Sequence, residues 1–167
     1  EGRGEANTPP TANPGGRAGS SLRGGAGGDV LDGDGGHDRL CGGAGDDALL
    51  GRKGEDALHG GAGADALTGG LGNDGFEYTA LTQGGDTIKD FHNTAGDNDG
   101  LRFLGSVFGG LAAGALAAAR FRANATGLAG DADDRFVYET DTGILRFDAN
   151  GNAAGGVTVI ATLTGTL

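Results

Sequence analysis

Large apolar residues fall at Leu31, Leu40, Leu49, Leu58, Leu67 and Phe76, nine residues apart each time, and an aspartate stands two places before each (Asp29, Asp38, Asp47, Asp56, Asp65, Asp74). Neither the helical period nor simple strand alternation produces a spacing of nine. A fixed period of this kind marks a coiled repeat architecture. Cut into nines from Gly24 to Glu77, the chain reads GGAGGDVLD, GDGGHDRLC, GGAGDDALL, GRKGEDALH, GGAGADALT, GGLGNDGFE. Positions one to six are glycine and acid, the chemistry of a turn that visits φ > 0. Positions seven to nine predict a three-residue strand whose middle side chain points inward. Two such units make one coil of a right-handed parallel β-roll, so six make about three coils, stacked roughly 4.8 Å apart. The stacking puts Asp29, Asp47 and Asp65 in one column and Asp38, Asp56 and Asp74 in the other.

Columns of carboxylates at that spacing repel one another unless a cation lies between them. Calcium accepts carboxylates and backbone carbonyls in irregular geometry, whereas magnesium demands a stricter octahedron and keeps its waters. No cysteine pair or histidine spacing suits a structural zinc. The six inward side chains also bury too little to offset the ordering of so glycine-rich a stretch, so metal binding is expected to supply part of the folding free energy. Four same-side neighbour pairs give about four full interturn sites, with weaker sites at the ends. Arg52 and Lys53 place two positive charges in the fourth turn and are expected to weaken the sites it shares.

The frame resembles the RTX nonapeptide repeat, GGxGxDxUx with U large and apolar, and departs from it at Asp34 and Arg52, which occupy the glycine-preferring second position. The resemblance implies calcium as cofactor. Carried over slot by slot, the ligands would be Asp29, Asp38, Asp47, Asp56, Asp65 and Asp74, with the turn glycines Gly25, Gly27, Gly33, Gly36, Gly42, Gly43, Gly45, Gly51, Gly54, Gly60, Gly61 and Gly63. The segment after the repeats is similar to the one that closes the roll in this family, and its Asp86 and Asp90 match the aspartates that would complete the final site. GDNDGLRF looks like the second acidic strand of that segment; Asp97 and Asp99 are open between ligands and solvated turn acids.

Composition adds limits. The chain has 167 residues, 39 glycines and a formal net charge of −11. Of its 23 acidic residues 18 are aspartate, the acid of turns and metal loops rather than of helix surfaces. So acidic a chain lacks the basic footprint of a nucleic-acid partner and has little attraction for anionic membranes. No apolar run is long enough for a transmembrane span. The single cysteine, Cys41, sits at an outward ninth position and reads as incidental.

Residues 1–23 hold all three prolines among Gly, Ser, Asn and Thr and read as a flexible linker. Residues 24–77 form the roll and 78–167 a capping and secretion module. In that module Phe76–Thr79 and Thr87–Phe91 are strands either side of a Gly84–Gly85 turn, and Leu111–Arg120 is a short packed helix. Arg135–Glu139 and Ile144–Asp148 alternate as a hairpin, and Val157–Leu163 is a further strand. Phe136, Tyr138, Leu145, Phe147, Val159 and Ile160 are the core candidates there. The fold class is thus mostly all-β: a parallel roll with a small antiparallel cap and one short helix.

Several look-alike motifs fail in context. Gly70–Gly75 spells the dinucleotide fingerprint but precedes no helix. Asp148–Asn152 resembles the start of an EF-hand loop without its closing glutamate. None of the three histidines belongs to an HExxH, and no GxSxG occurs. No active site is expected. The resemblance implies a module that a type I secretion apparatus exports from a bacterium, unfolded at low cytosolic calcium and folded by calcium outside the cell. There it would act as a monomer that stabilises an upstream passenger domain. The tail of a secreted protease, lipase or epimerase, or of an adhesin, is the alternative. The first residues carry no apolar signal-peptide core, and the chain reads as a piece of something longer. Its end at Thr166-Leu167 lacks an acidic-apolar tail, so the secretion signal reads as incomplete.

Overall fold

The apolar slot of each repeat becomes the core: Leu31, Leu40, Leu49, Leu58, Leu67 and Phe76 are at most 1% exposed. Residues 3–5, 12–14, 18–111, 114, 120–130, 134–151 and 156–166 are described in the structure, a computed structural model. Because successive repeats alternate sides, their strands form two parallel sheets. One runs β1 (Arg3–Glu5), β3 (Ser21–Ala26), β5 (Arg39–Ala44), β7 (Ala57–Ala62), β9 (Gly75–Tyr78), β12 (Gly100–Phe103). The other contains β2 (Ala12–Pro14), β4 (Val30–Asp32), β6 (Ala48–Lys53), β8 (Ala66–Leu71) and β10 (Asp86–Thr94). Neighbouring rungs are 18 residues apart and in register, Leu40 beside Leu58 and Leu49 beside Leu67. Inward leucines therefore stack as two facing columns.

Two expectations change in detail. The six repeats account for three coils, but the solenoid has about six, since the shorter sheet alone holds six strands. The added rungs come from both flanks. Leu22, 2% exposed, pairs with Leu40, and β2 lies against β4 in the segment read as a linker. Downstream, β10 and β12 extend the two sheets past Glu77. β3, β5, β6, β7 and β8 also run to six residues where three were expected, through positions seven to nine and on through the first three of the next repeat, while β4 keeps to three. Glycine permits this: at Gly43, φ is 120°, and a Cβ there would strike the carbonyl oxygen of Gly25 one coil away. Backbones that close pair most readily where the second slot carries no side chain, and Arg52 keeps its place beside Gly70 by holding φ at 82°.

The C-terminal region continues the second sheet rather than forming a separate lid. β16 (Val157–Thr166) pairs in parallel with β10; β15 (Ile144–Asp148) and β14 (Phe136–Glu139) follow antiparallel, and β13 (Phe121–Asn124) adds in parallel. Phe103, Phe108, Phe136 and Phe147 close over the end of the leucine columns, with ring centroids 4.5 Å apart for Phe103–Phe136 and 5.1 Å for Phe108–Phe147. Phe136, Leu145, Phe147 and Ile160 are buried as expected and Tyr138 partly so. Val159 is 42% exposed instead, because a register shift between Leu145 and Arg146 turns it outward opposite Arg146, while Val137 is buried. The helix expected over Leu111–Arg120 lies mostly outside the described residues. No helix among the described residues is long and apolar enough to cross a membrane.

Candidate metal centre

The turn aspartates are buried: Asp38, Asp47, Asp56, Asp65 and Asp74 are each 2–3% exposed. One oxygen of each has a structural task. Oδ1 of Asp47 accepts the backbone N–H of Asp29 at 2.7 Å, and Oδ1 of Asp65 that of Asp47 at 2.8 Å. In the second column Asp56 takes the N–H of Asp38 at 2.7 Å and Asp74 that of Asp56 at 2.8 Å. The two expected columns therefore exist as hydrogen-bonded ladders, each carboxylate serving the coil before it.

The other oxygen has no protein partner. Oδ2 of Asp38, Asp47, Asp56, Asp65 and Asp74 is sealed from solvent and accepts no hydrogen bond. A buried carboxylate oxygen left in this way is costly. Its surroundings are backbone oxygen and empty glycine. A Cβ placed on Gly33 would lie 2.6 Å from Oδ2 of Asp38 and 2.8 Å from the carbonyl oxygen of Gly51 in the next coil. At Gly42 it would meet Asp47 Oδ2 and the Gly60 carbonyl, and at Gly51, Asp56 Oδ2 and the Gly69 carbonyl. A carboxylate oxygen, a neighbouring carbonyl and a space that any side chain would fill make a cradle for a hard, oxygen-liganded cation. These donors fit calcium.

Without a cation, burial raises the carboxyls. Asp74 and Asp86 are pushed up to about 7 and Asp47 to about 6, the backbone N–H each accepts offsetting only part of the effect. Burial likewise raises Asp38, Asp56, Asp65 and Asp99.

The remaining expected residues separate by role. The first-position glycines Gly33, Gly42, Gly51 and Gly60 line the cradles. Gly25, Gly43 and Gly61 at the second position, and Gly27, Gly36, Gly45, Gly54 and Gly63 at the fourth, all hold positive φ and shape the turn. Asp86 takes the place below Asp65, whose N–H it accepts at 3.0 Å. Asp90 spends both oxygens on the Gly69 and Gly70 N–H groups at 2.9 and 2.8 Å, fastening the last turn. Asp99 is the next rung of the second column, accepting the Asp74 N–H at 3.0 Å, whereas Asp97 faces His92 instead. Arg52 is turned outward to a two-bond contact with Asp32, at 2.9 and 2.6 Å. Asp148 Oδ1 accepts the N–H of Asn150, an ordinary turn.

Sequence reasoning missed Gly24 and Gly69, which occupy the same first slot and approach Asp29 and Asp74. It also missed Ser20, nine residues before Asp29, whose N–H is capped by Asp38 at 2.5 Å. The signal was present: GGRAGSSLR, residues 15–23, keeps the apolar Leu22 and substitutes serine in the acidic slot.

Comparison with known families agrees with this extension. The family model described as the RTX calcium-binding nonapeptide repeat (4 copies) matches residues 15–49 and 42–76. No curated protein matches the chain.

Proposed function

We propose that residues 15–76, which match the RTX calcium-binding nonapeptide repeat and wind into two parallel sheets, are folded by calcium, and that the chain works as a calcium-triggered folding module. The observation that carries this reading is the row of buried, unpartnered Oδ2 atoms, each beside a glycine cradle. About four full sites lie between the six repeats, and Asp86 and Asp99 carry each column one rung further, to weaker end sites. When bound, calcium neutralises the carboxylates and supplies the missing partner for Oδ2. The protein's own part is to hold Oδ1 on the preceding backbone, to keep side chains out of the cradle and to exclude water with the leucine columns.

Calcium sites of extracellular modules fill at about 10⁻⁴–10⁻³ M. The module would therefore stay unfolded in a bacterial cytosol, pass a type I exporter as a chain and fold outside, where it stabilises a passenger. It has no catalytic role in this reading. Far-UV circular dichroism during a calcium titration of chelated full-length protein tests the first step, with magnesium as control. A cooperative, calcium-specific gain of β signal is expected. The same β content in chelator and in calcium would sink the reading.

A further inference from the structure

Where the sixth coil closes, a group of different chemistry stands apart from the glycine cradles. The strand β10 turns through Ala95 and Gly96 into β11 (Asp97–Asn98), pairing Thr94 with Asp97 and Asn93 with Asn98. This hairpin brings His92, Asp97 and Asp99 together, with one ligand atom from each within 4.8 Å of the others. The frame around them is fixed. The His92 N–H donates to Asp99 Oδ2 and the Asp99 N–H to the His92 carbonyl, both at 2.9 Å, while Asn98 N–H donates to Asn73 Oδ1 at 2.8 Å.

Two atoms within this frame lack what burial demands. His92 Nδ1 and Asp97 Oδ1 are both closed to solvent and neither has a hydrogen-bond partner. Nδ1 lies 3.4 Å from Asp97 Oδ2, too long for a good hydrogen bond. It is instead the separation of two ligands on one tetrahedral ion: bonds of about 2.0–2.2 Å put their ends about 3.3–3.5 Å apart. Asp99 already accepts two N–H groups but keeps free lone pairs on both oxygens. An imidazole nitrogen with two carboxylates selects a first-row transition ion over calcium, which takes oxygen ligands in larger number.

We propose that His92, Asp97 and Asp99 form a transition-metal site, filled by zinc(II) or a similar ion, that pins the closing hairpin to the last rung of the aspartate ladder. It differs from the calcium cradles in using an imidazole nitrogen, and it shares Asp99 with the last rung of the second aspartate column.

The test is equilibrium dialysis of zinc against the calcium-loaded full chain, with NMR of the three histidine rings. One zinc per chain is expected, with the His92 ring signals shifting and those of His37 and His59 unmoved. His92→Gln and Asp97→Asn should each weaken binding by more than the roughly 10–100-fold typical of losing an outer-shell partner, whereas Cys41→Ser leaves it unchanged. Cobalt(II) in place of zinc should give the visible absorption of a tetrahedral site. No bound zinc, zinc that shifts another histidine, or binding unchanged in His92→Gln overturns the proposal. Failure of the calcium reading shows separately, in the spectrum of the zinc-free chain. The ring shifts are read on the unmodified protein, so a variant that fails to fold leaves the test intact.

Discussion

At Asp56 the two carboxylate oxygens face different neighbours: Oδ1 takes the Asp38 N–H and Oδ2 takes no protein group. The Asp56→Asn change keeps an oxygen for the cap and puts an amide where the second oxygen stood. Its calcium midpoint, followed by circular dichroism, should rise by about tenfold or more, since a charged ligand is lost while the cap is kept. Asp34 poses the opposite case. It holds φ at 68° in a slot where most repeats have glycine, and Arg52 does the same at 82°. Relieving that backbone with Asp34→Gly should stabilise the calcium-loaded protein by about 0.5–1 kcal/mol in denaturant melts, the glycine's greater freedom when unfolded cancelling part of the gain. Both misfits were visible in the sequence as departures from the nine-residue frame. Ser20 was not read, because without its carboxylate the slot no longer announced itself. Which oxygen caps and which is left over could come only from the coordinates.

In the aspartate ladder, carboxyls that share an apolar wall titrate far from their ordinary range. Asp74 and Asp86, pushed up to about 7, and Asp47, up to about 6, bind protons in the metal-free fold that the unfolded chain has already released. The metal-free roll is therefore most stable on the acid side, below the ordinary carboxylate value, and loses that stability as pH climbs through about 7. In chelator, far-UV circular dichroism should therefore show more residual β signal at pH 5 than at pH 8. Calcium obeys the reverse sign, since it needs the carboxylates ionised. Because the unfolded chain's carboxylates are already ionised at pH 6, the midpoint should change little between pH 8 and pH 6 and climb steeply only as pH falls toward the ordinary carboxylate value. The ladder's existence and column membership were legible from the spacing of nine and the two-sided coil. The six-residue strands were not, because glycine's pairing at positive φ depends on how near the next coil comes, which spacing does not report.

Over the whole molecule the open end of the leucine columns is sealed by aromatic rings. Phe108 is fully buried and touches Phe103, Phe136 and Phe147. Truncation to Phe108→Ala should cost about 3–5 kcal/mol, read as a lower melting temperature in calcium with the repeats themselves unaltered. Sequence alternation located the 136–139 and 144–148 strands well. It missed that β16 joins β10 in parallel, a pairing of residues some 75 apart that no local pattern encodes, and it placed Val159 on the wrong face because a bulge is invisible to simple alternation.

The ladder also has a direction. Every capped N–H, from Ser20 to Asp74, finds its acceptor in a coil that comes later in the chain, ending at Asp86 and Asp99. Trimming from the front leaves every remaining carboxylate cap in place, whereas trimming from the back orphans one capped N–H in each column. The carboxylate caps thus overlap like roof tiles, each course covering the one before it, and the course that covers without being covered is the C-terminal one.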